Sequence, residues 1–168
     1  GTSIDALCGL TNYRQLAADA QQLFKDPAVI KVAMRINSGG GEAHGVFILA
    51  QQLQDMVKEF KKPLLCYIDG LAASAAYAIA AAANEVIIHP SSSAGSIGVL
   101  IGLIDDSEKD KKEGVKTLYI TGGKNKVPFS ADGKYKASFL ADLQENVNAL
   151  YNEFTSYVAQ ARDLTQAK

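Results

Sequence analysis

A single serine stands in a run of small apolar residues, Asp69-Gly70-Leu71-Ala72-Ala73-Ser74-Ala75-Ala76-Tyr77-Ala78-Ile79-Ala80. The apolar residues 64–68 before the run predict a short buried strand, and residues 75–83 have high helix propensity. Ser74 is therefore expected where a strand ends and a helix begins. The free N–H groups of a helix N-terminus can stabilise an oxyanion, so this position suits a catalytic nucleophile. A serine that only caps a buried helix is the alternative.

Three consecutive glycines follow another predicted strand. Residues 30–36 alternate between apolar and polar side chains and run into Asn37-Ser38-Gly39-Gly40-Gly41. Glycine lets the backbone turn sharply and present N–H groups at close range, so the N–H groups of Gly41 and Ala75 are candidate oxyanion-hole donors. A flexible turn is the alternative. A phosphate-binding loop is disfavoured because the run lacks both GxGxxG spacing and the GK[ST] of a P-loop.

A serine nucleophile needs a base to take its proton. The chain has two histidines, His44 and His89, and neither has an obvious carboxylate orienter in the sequence, which favours structural or surface roles. A neutral lysine in a site shielded from water is the other known base. Lys126 lies in a loop with few acidic residues, Gly123-Lys124-Asn125-Lys126-Val127-Pro128-Phe129, and is a candidate; a solvated loop lysine is the alternative.

Alternating strands and helices must position these residues. The pattern predicts βαβ units with a largely parallel sheet and right-handed crossovers, in which loops 37–41 and 70–74 meet at one edge of the sheet. Charged residues 105–114 predict a solvated helix or turn, and residues 122–133 a polar loop. The predicted helices cover about 12–25, 43–60, 75–83 and 137–162, and the predicted strands 30–36, 64–68, 85–89, 97–104 and 117–120.

The last predicted helix, 137–162, carries a long apolar face that includes Tyr151, Phe154 and Tyr157. A small core cannot cover all of this face, so part of it is expected to pack on a second copy in a homo-oligomer. Ordinary packing within the core is the alternative.

Length and composition bound the function. A chain of 168 residues is expected to form one domain over 1–168, with 137–162 as a C-terminal helical extension. With 48% hydrophobic residues, 21% charged residues and a net charge of −1, the chain is globular and gives no argument for nucleic acid. Cys8 and Cys66 make no disulfide framework, which favours a reducing, cytoplasmic setting. No apolar run reaches the length of a spanning helix, and Gly1-Thr2-Ser3 shows no signal-peptide pattern, although a preceding segment could hold an anchor.

Four motifs resemble, in order, those of the signal peptide peptidase A family, and most closely its phage branch, the head-maturation (prohead) proteases. The resemblance covers about 13–162, is most specific over 70–99, and rests on Asn37-Ser38-Gly39-Gly40-Gly41, Gly70 to Tyr77, Ala94-Gly95-Ser96-Ile97-Gly98-Val99 and Gly123-Lys124-Asn125-Lys126. It implies a Clp protease/crotonase-like fold, a βαβ superhelix, and a Ser/Lys dyad.

By this resemblance Ser74 is the nucleophile, Lys126 the general base and Ser96 a hydroxyl that hydrogen-bonds the base. Gly41 and Ala75 are the oxyanion-hole donors. The family's lysine can come from a neighbouring subunit or repeat. Two departures, Gly39 in place of proline and Ala75-Ala76 in place of two glycines, remove no catalytic group.

The leading hypothesis is a serine endopeptidase without cofactor or metal that cleaves scaffold and capsid proteins of a phage head in the host cytoplasm. A membrane-associated signal peptide peptidase is the alternative if an anchor precedes the chain. Further alternatives are a Clp-type Ser-His-Asp peptidase using His89, a crotonase-like acyl-thioester enzyme that would not need Ser74, and an inactive assembly or scaffold protein on a protease fold.

Overall fold

The computed structural model describes residues 11–123, 126–130 and 132–164. They fall into two compact units. The serine unit comprises the chain up to Gly98 and again from Tyr151 onward, and the lysine unit comprises Val99–Leu150. A single peptidase domain over 1–168, with its helical extension at 137–162, stays a prediction.

The serine unit is a parallel α/β structure. Three strands, β1 (Val32–Ser38), β2 (Leu64–Ala73) and β3 (Glu85–Ile88), pair in the order β1-β2-β3, and the short β4 (Ser93–Gly95) pairs with the far end of β2, all in parallel. This arrangement confirms the predicted α/β class and is consistent with a Clp protease/crotonase-like fold. In chain order the elements are α1 (Tyr13–Lys25), β1 (Val32–Ser38), α2 (Val46–Phe60), β2 (Leu64–Ala73), α3 (Ala75–Ala81), β3 (Glu85–Ile88) and β4 (Ser93–Gly95).

The core lies on one face of the sheet, under the helices. Alternate residues of β2 point inward, and Leu64, Cys66 and Ile68 are fully buried. Burial raises the pKa of the Cys66 thiol to about 11, whereas Cys8 lies outside the described residues. Phe24 of α1 stacks on Phe60 of α2 with ring centroids 6.2 Å apart, which joins these helices through the core.

The predicted helix at 12–25 is confirmed. The side chain of Asn12 accepts a hydrogen bond from the Arg14 N–H at 2.8 Å and so caps the first turn of α1. The next two helices are shorter than predicted. α2 begins at Val46 rather than at about 43, and α3 ends at Ala81.

A bulge lets β2 run five residues beyond its predicted end at Ile68, to Ala73. Ile36 pairs with Ile68, but Ser38 pairs with Ala72, so β2 advances four residues while β1 advances two. Asn37 sits at this shift, and its Oδ1 accepts a hydrogen bond from the Leu71 N–H at 3.1 Å. The bulge therefore carries the chain past the predicted strand to the Ser74 junction.

The lysine unit contains α4 (Ser107–Lys112) and the first part of α5 (Ala137–Ala161), whose residues from Tyr151 onward belong to the serine unit. The predicted charged helix or turn at 105–114 and the predicted C-terminal helix are thus confirmed. Phe129 and Tyr135 form an isolated antiparallel bridge, with ring centroids 4.7 Å apart. The Tyr135 hydroxyl donates a hydrogen bond to the Ile104 carbonyl at 2.9 Å.

The strands predicted over 97–104 and 117–120 are wrong. Both segments lack regular secondary structure in the part of the chain that the structure describes. Their apolar, β-branched composition resembles that of strands, but a strand also needs a neighbour for its backbone N–H and C=O groups. Conversely, β4 was missed because Ser93-Ala94-Gly95 has little strand propensity; its pairing with Leu71–Ala73 makes it a strand. None of the described helices is long and apolar enough to cross a membrane.

Candidate active site

Ser74 occupies a strained junction between β2 and α3. Its φ is +52° and its ψ is −125°, a conformation that non-glycine residues rarely adopt. The N–H groups of Tyr77 and Ala78 bond to the Ser74 carbonyl, at 2.9 and 3.1 Å, but its side chain makes no capping hydrogen bond. Ser74 is thus the N-cap residue of α3 by position, as the capping alternative expects, but its side chain does not cap the helix. A serine on a sharp strand-to-helix turn, with its hydroxyl not used by the helix, has the geometry of a nucleophile elbow.

Ser96 is brought to the same edge of the sheet as Ser74. The Ser74 N–H donates a hydrogen bond to the Gly95 carbonyl at 2.9 Å, and Gly95 pairs with Ala73 in the parallel register. Ser96 is the next residue, is exposed, and also has a positive φ, of +54°. The two predicted site serines therefore follow the carboxyl ends of neighbouring strands.

The glycine loop touches the Ser74 junction. Gly40 has a φ of +110°, and a Cβ there would lie 2.8 Å from the Ala73 carbonyl oxygen, 2.9 Å from Ser74 Cβ and 3.3 Å from the Ala75 nitrogen. A residue with a side chain would clash with the Ala73 oxygen and Ser74 Cβ and would crowd the Ala75 nitrogen. The structure thus brings Gly40, the residue before Gly41, against the Ser74 junction. The oxyanion-hole role of Gly41 and Ala75 stays a prediction.

Sequence reasoning missed one contact of this loop. The hydroxyl of Tyr13, at the start of α1, donates a hydrogen bond to the Glu42 carbonyl at 2.7 Å. Burial, and then the Glu42 charge, raise the pKa of Tyr13. The only sequence signal is an aromatic residue at the first position of a helix, which does not point to a loop 29 residues away.

The two predicted members of the dyad lie in different units. Lys126 belongs to the lysine unit, is exposed, and closes a turn through its N–H to the Gly123 carbonyl at 3.4 Å. Lys124 and Asn125, which complete the quoted motif, lie outside the described residues.

The histidines do not form a triad with Ser74 in the part of the chain that is described. His44 is exposed. His89 follows β3 and is also exposed, with its Nδ1 2.7 Å from the Ser91 hydroxyl. The Clp-type alternative therefore gains no hydrogen-bonded base from either residue.

The parallel α/β unit, with a strained serine beside a glycine loop, is consistent with the class of Clp protease/crotonase-like proteins. The sequence profile of peptidase family S49 matches residues 56–168, and the chain belongs to this family. The resemblance to signal peptide peptidase A and phage capsid proteases is thereby confirmed.

Three relatives illustrate the family. The chain is 35% identical over 146 residues to the "Putative protease MJ0651" of Methanocaldococcus jannaschii, covering 85% of this chain and 45% of that protein. It is 29% identical over 157 residues to the head-tail preconnector protein GP5 of Enterobacteria phage P21, covering 94% and 31%. It is 26% identical over 154 residues to the capsid assembly protease C of Escherichia phage lambda, covering 90% and 33%. The chain thus spans less than half the length of each relative.

Proposed function

We propose that the chain is a serine endopeptidase that uses Ser74 as its nucleophile and Lys126 as its general base. The observation that carries the proposal is the Ser74 junction: a positive φ, a hydroxyl that makes no capping bond, and a glycine loop packed against it. Backbone strain of this kind costs about 1–3 kcal/mol and is concentrated at functional sites. Membership of a peptidase family supports the same reading.

In the proposed reaction, the Lys126 amine takes the proton of Ser74 while Oγ attacks the carbonyl carbon of the scissile peptide. The N–H groups of Gly41 and Ala75 stabilise the resulting oxyanion. The protonated lysine then gives its proton to the leaving amine, and water hydrolyses the acyl-enzyme by the same steps. Ser96, which follows Gly95, is proposed to orient the amine by a hydrogen bond.

The lysine must be neutral and shielded from water to act as a base. Lys126 is exposed. The proposal therefore includes a step before the reaction, in which substrate or a neighbouring copy covers the Lys126 amine and shields it from water. Activity is expected to rise with pH, because the amine works only after losing its proton.

The proposed biological role is head maturation in a phage, with scaffold and capsid proteins as substrates, a homo-oligomer as the working form, and the host cytoplasm as the setting. The names of two relatives, a capsid assembly protease and a head-tail preconnector protein, support this role. No cofactor or metal is part of the proposal.

Labelling with a fluorophosphonate tests the function directly, because only an activated serine reacts. We expect mass spectrometry to find the adduct on Ser74, and Ser74→Ala to lose both label and peptide hydrolysis. His89→Ala is the matched control and is expected to keep both, since a triad would need this histidine. Absence of labelling would favour the scaffold or acyl-thioester alternatives. Incubation with purified capsid, scaffold and signal-peptide substrates then separates the two peptidase roles.

A further inference from the structure

The loop that carries Gly41 is fixed at both ends. At one end, Gly40 packs against the Ser74 junction, and Ser38 Oγ accepts a hydrogen bond from the Gly40 N–H at 3.2 Å. At the other end, the loop leads to Gly45, whose φ of +85° precedes α2. Between these points only a few residues separate the expected oxyanion donor from the helix.

Tyr13 contacts the middle of this loop from outside it. Its hydroxyl bonds to the Glu42 carbonyl at 2.7 Å, and it would lie 3.5 Å from a Cβ placed on Gly41. Its ring edge, at Cδ2, would lie 3.6 Å from a Cβ on Gly45. Tyr13 thus bonds to the residue that follows Gly41, and its side chain lines the space into which side chains at Gly41 and Gly45 would project.

Tyr13 is itself held in place. It is the first residue of α1, whose first turn is capped by Asn12 and whose far end is fixed by the Phe24–Phe60 stack in the core. An anchor on a rigid helix can define the position of a loop more closely than the loop's own residues can.

We propose that Tyr13 is a positioning residue that holds the Gly41 N–H in place for the oxyanion through its hydrogen bond to the adjacent Glu42 carbonyl. The inference rests on the proposed peptidase function. A donor displaced from the developing oxyanion stabilises the transition state less than it did, while binding of the substrate's remaining groups is unaffected. The expected signature is therefore a loss in kcat with little change in KM.

Tyr13→Phe removes only the hydroxyl and keeps the ring in contact with the loop. We expect kcat to fall about three- to tenfold, as for the loss of one net hydrogen bond, with KM unchanged within about twofold. The affinity for a peptide boronate, whose serine adduct places an oxygen in the oxyanion hole, should fall by the same factor as kcat. Gln15→Ala is the control, because Gln15 lies on the same helix as Tyr13, is exposed and bonds through its side chain to Asp19 at 2.7 Å; it should change neither value.

Fluorophosphonate titration of active sites corrects each rate for the fraction of folded enzyme, so a purely structural effect lowers the number of sites and not the kcat per site. Unchanged kcat and boronate affinity in Tyr13→Phe would overturn the proposal.

Amide hydrogen exchange gives a readout that does not depend on activity. Exchange in residues 39–45 should speed up in Tyr13→Phe and not in Gln15→Ala. Unchanged exchange in Tyr13→Phe would overturn the proposed anchoring role of Tyr13. If wild-type protein failed to label, the proposed function would fail; faster exchange in Tyr13→Phe would still support Tyr13 as the anchor of this loop.

Discussion

The serine unit and the lysine unit contain similar apolar residues but bury them to very different extents. All residues buried among those described, from Asn12 to Val158, belong to the serine unit. In the lysine unit, by contrast, Leu100 is 87% exposed and Ile120 is 94% exposed. The comparison shows that Ser74, the proposed nucleophile, lies in a unit with its own buried core. The unit that contains Lys126, the proposed base, exposes apolar side chains that are normally covered.

This difference supports the proposal that the working form is a homo-oligomer. The sheet of the serine unit is also open on one face, where Tyr67 and Ile87 are 38% and 43% exposed, although parallel sheets are usually covered on both faces. A second copy would cover such surfaces. Light scattering that finds a fully active monomer would contradict the proposal.

The largest expected effect separates chemistry from stability. Lys126→Arg and Lys126→Ala should each lower kcat/KM by about 10²–10⁴-fold, the usual contribution of a general base, because arginine stays protonated. Neither should lower the melting temperature, since Lys126 is exposed. Peptide hydrolysis assays measure kcat/KM, and thermal unfolding monitored by circular dichroism measures the melting temperature.

Two controls sharpen this prediction. Lys116→Ala changes another exposed lysine of the same unit, and Lys124→Ala changes the lysine two positions before Lys126, outside the described residues; both should stay active. An active Lys126→Arg enzyme would move the base to another residue.

The next effect contrasts the same residue type in the two units. Leu53 is 2% exposed, so Leu53→Ala should lower the free energy of unfolding of the protein by about 2–5 kcal/mol, because a cavity forms in the core. Leu118 is 78% exposed, so Leu118→Ala should lower the free energy of unfolding of the dilute monomer by no more than about 0.5 kcal/mol. Urea unfolding measures both changes. A large loss in Leu118→Ala that depends on protein concentration would show that a second copy covers this unit.

A smaller expected effect concerns two neighbouring glycines. Gly40→Ala should cost about 1–3 kcal/mol in the free energy of unfolding, since its Cβ would lie 2.8 Å from the Ala73 carbonyl oxygen and its φ is +110°. Gly39→Ala is the control, because a Cβ there meets no atom within 4 Å. Gly40→Ala should lose more activity than its loss of stability alone explains, because a shifted loop also displaces the N–H group of Gly41. Equal behaviour of the two variants in urea unfolding and peptide hydrolysis would contradict the close approach of Gly40 to Ser74.

The smallest expected effect is a pH dependence of stability from Cys66. Its pKa in the folded protein is raised to about 11 by burial, so its contribution to stability is complete below the pKa of the unfolded thiol, about 8.5. This contribution should be lost as pH rises from about 8.5 through about 11. Urea midpoints measured from pH 8 to 11 should therefore fall less in Cys66→Ala than in the wild type. Parallel slopes would show that another group causes the decline.

The sequence predicted most of the serine unit because its helices and strands carry clear periodicity. Ser74 and the loop at Gly41 could be found because small residues and glycines mark tight backbone approaches. The unused Ser74 hydroxyl, the Tyr13 contact and the strand at Ser93–Gly95 could not be predicted, since each depends on residues distant in sequence. In the lysine unit, apolar composition indicated strands, but composition cannot say whether a pairing partner exists within the chain.

The bulge in β2 has a consequence for how family members can differ in length. Ile68 and Ala72 both face the core, so the extra residues come as a pair and preserve the alternation of inward and outward side chains. Removing or adding one residue among 69–71 would turn Ala72 outward and rotate the Ser74 junction away from the glycine loop. Insertions or deletions of an even number of residues at this point should therefore preserve the site, whereas those of an odd number should disrupt it.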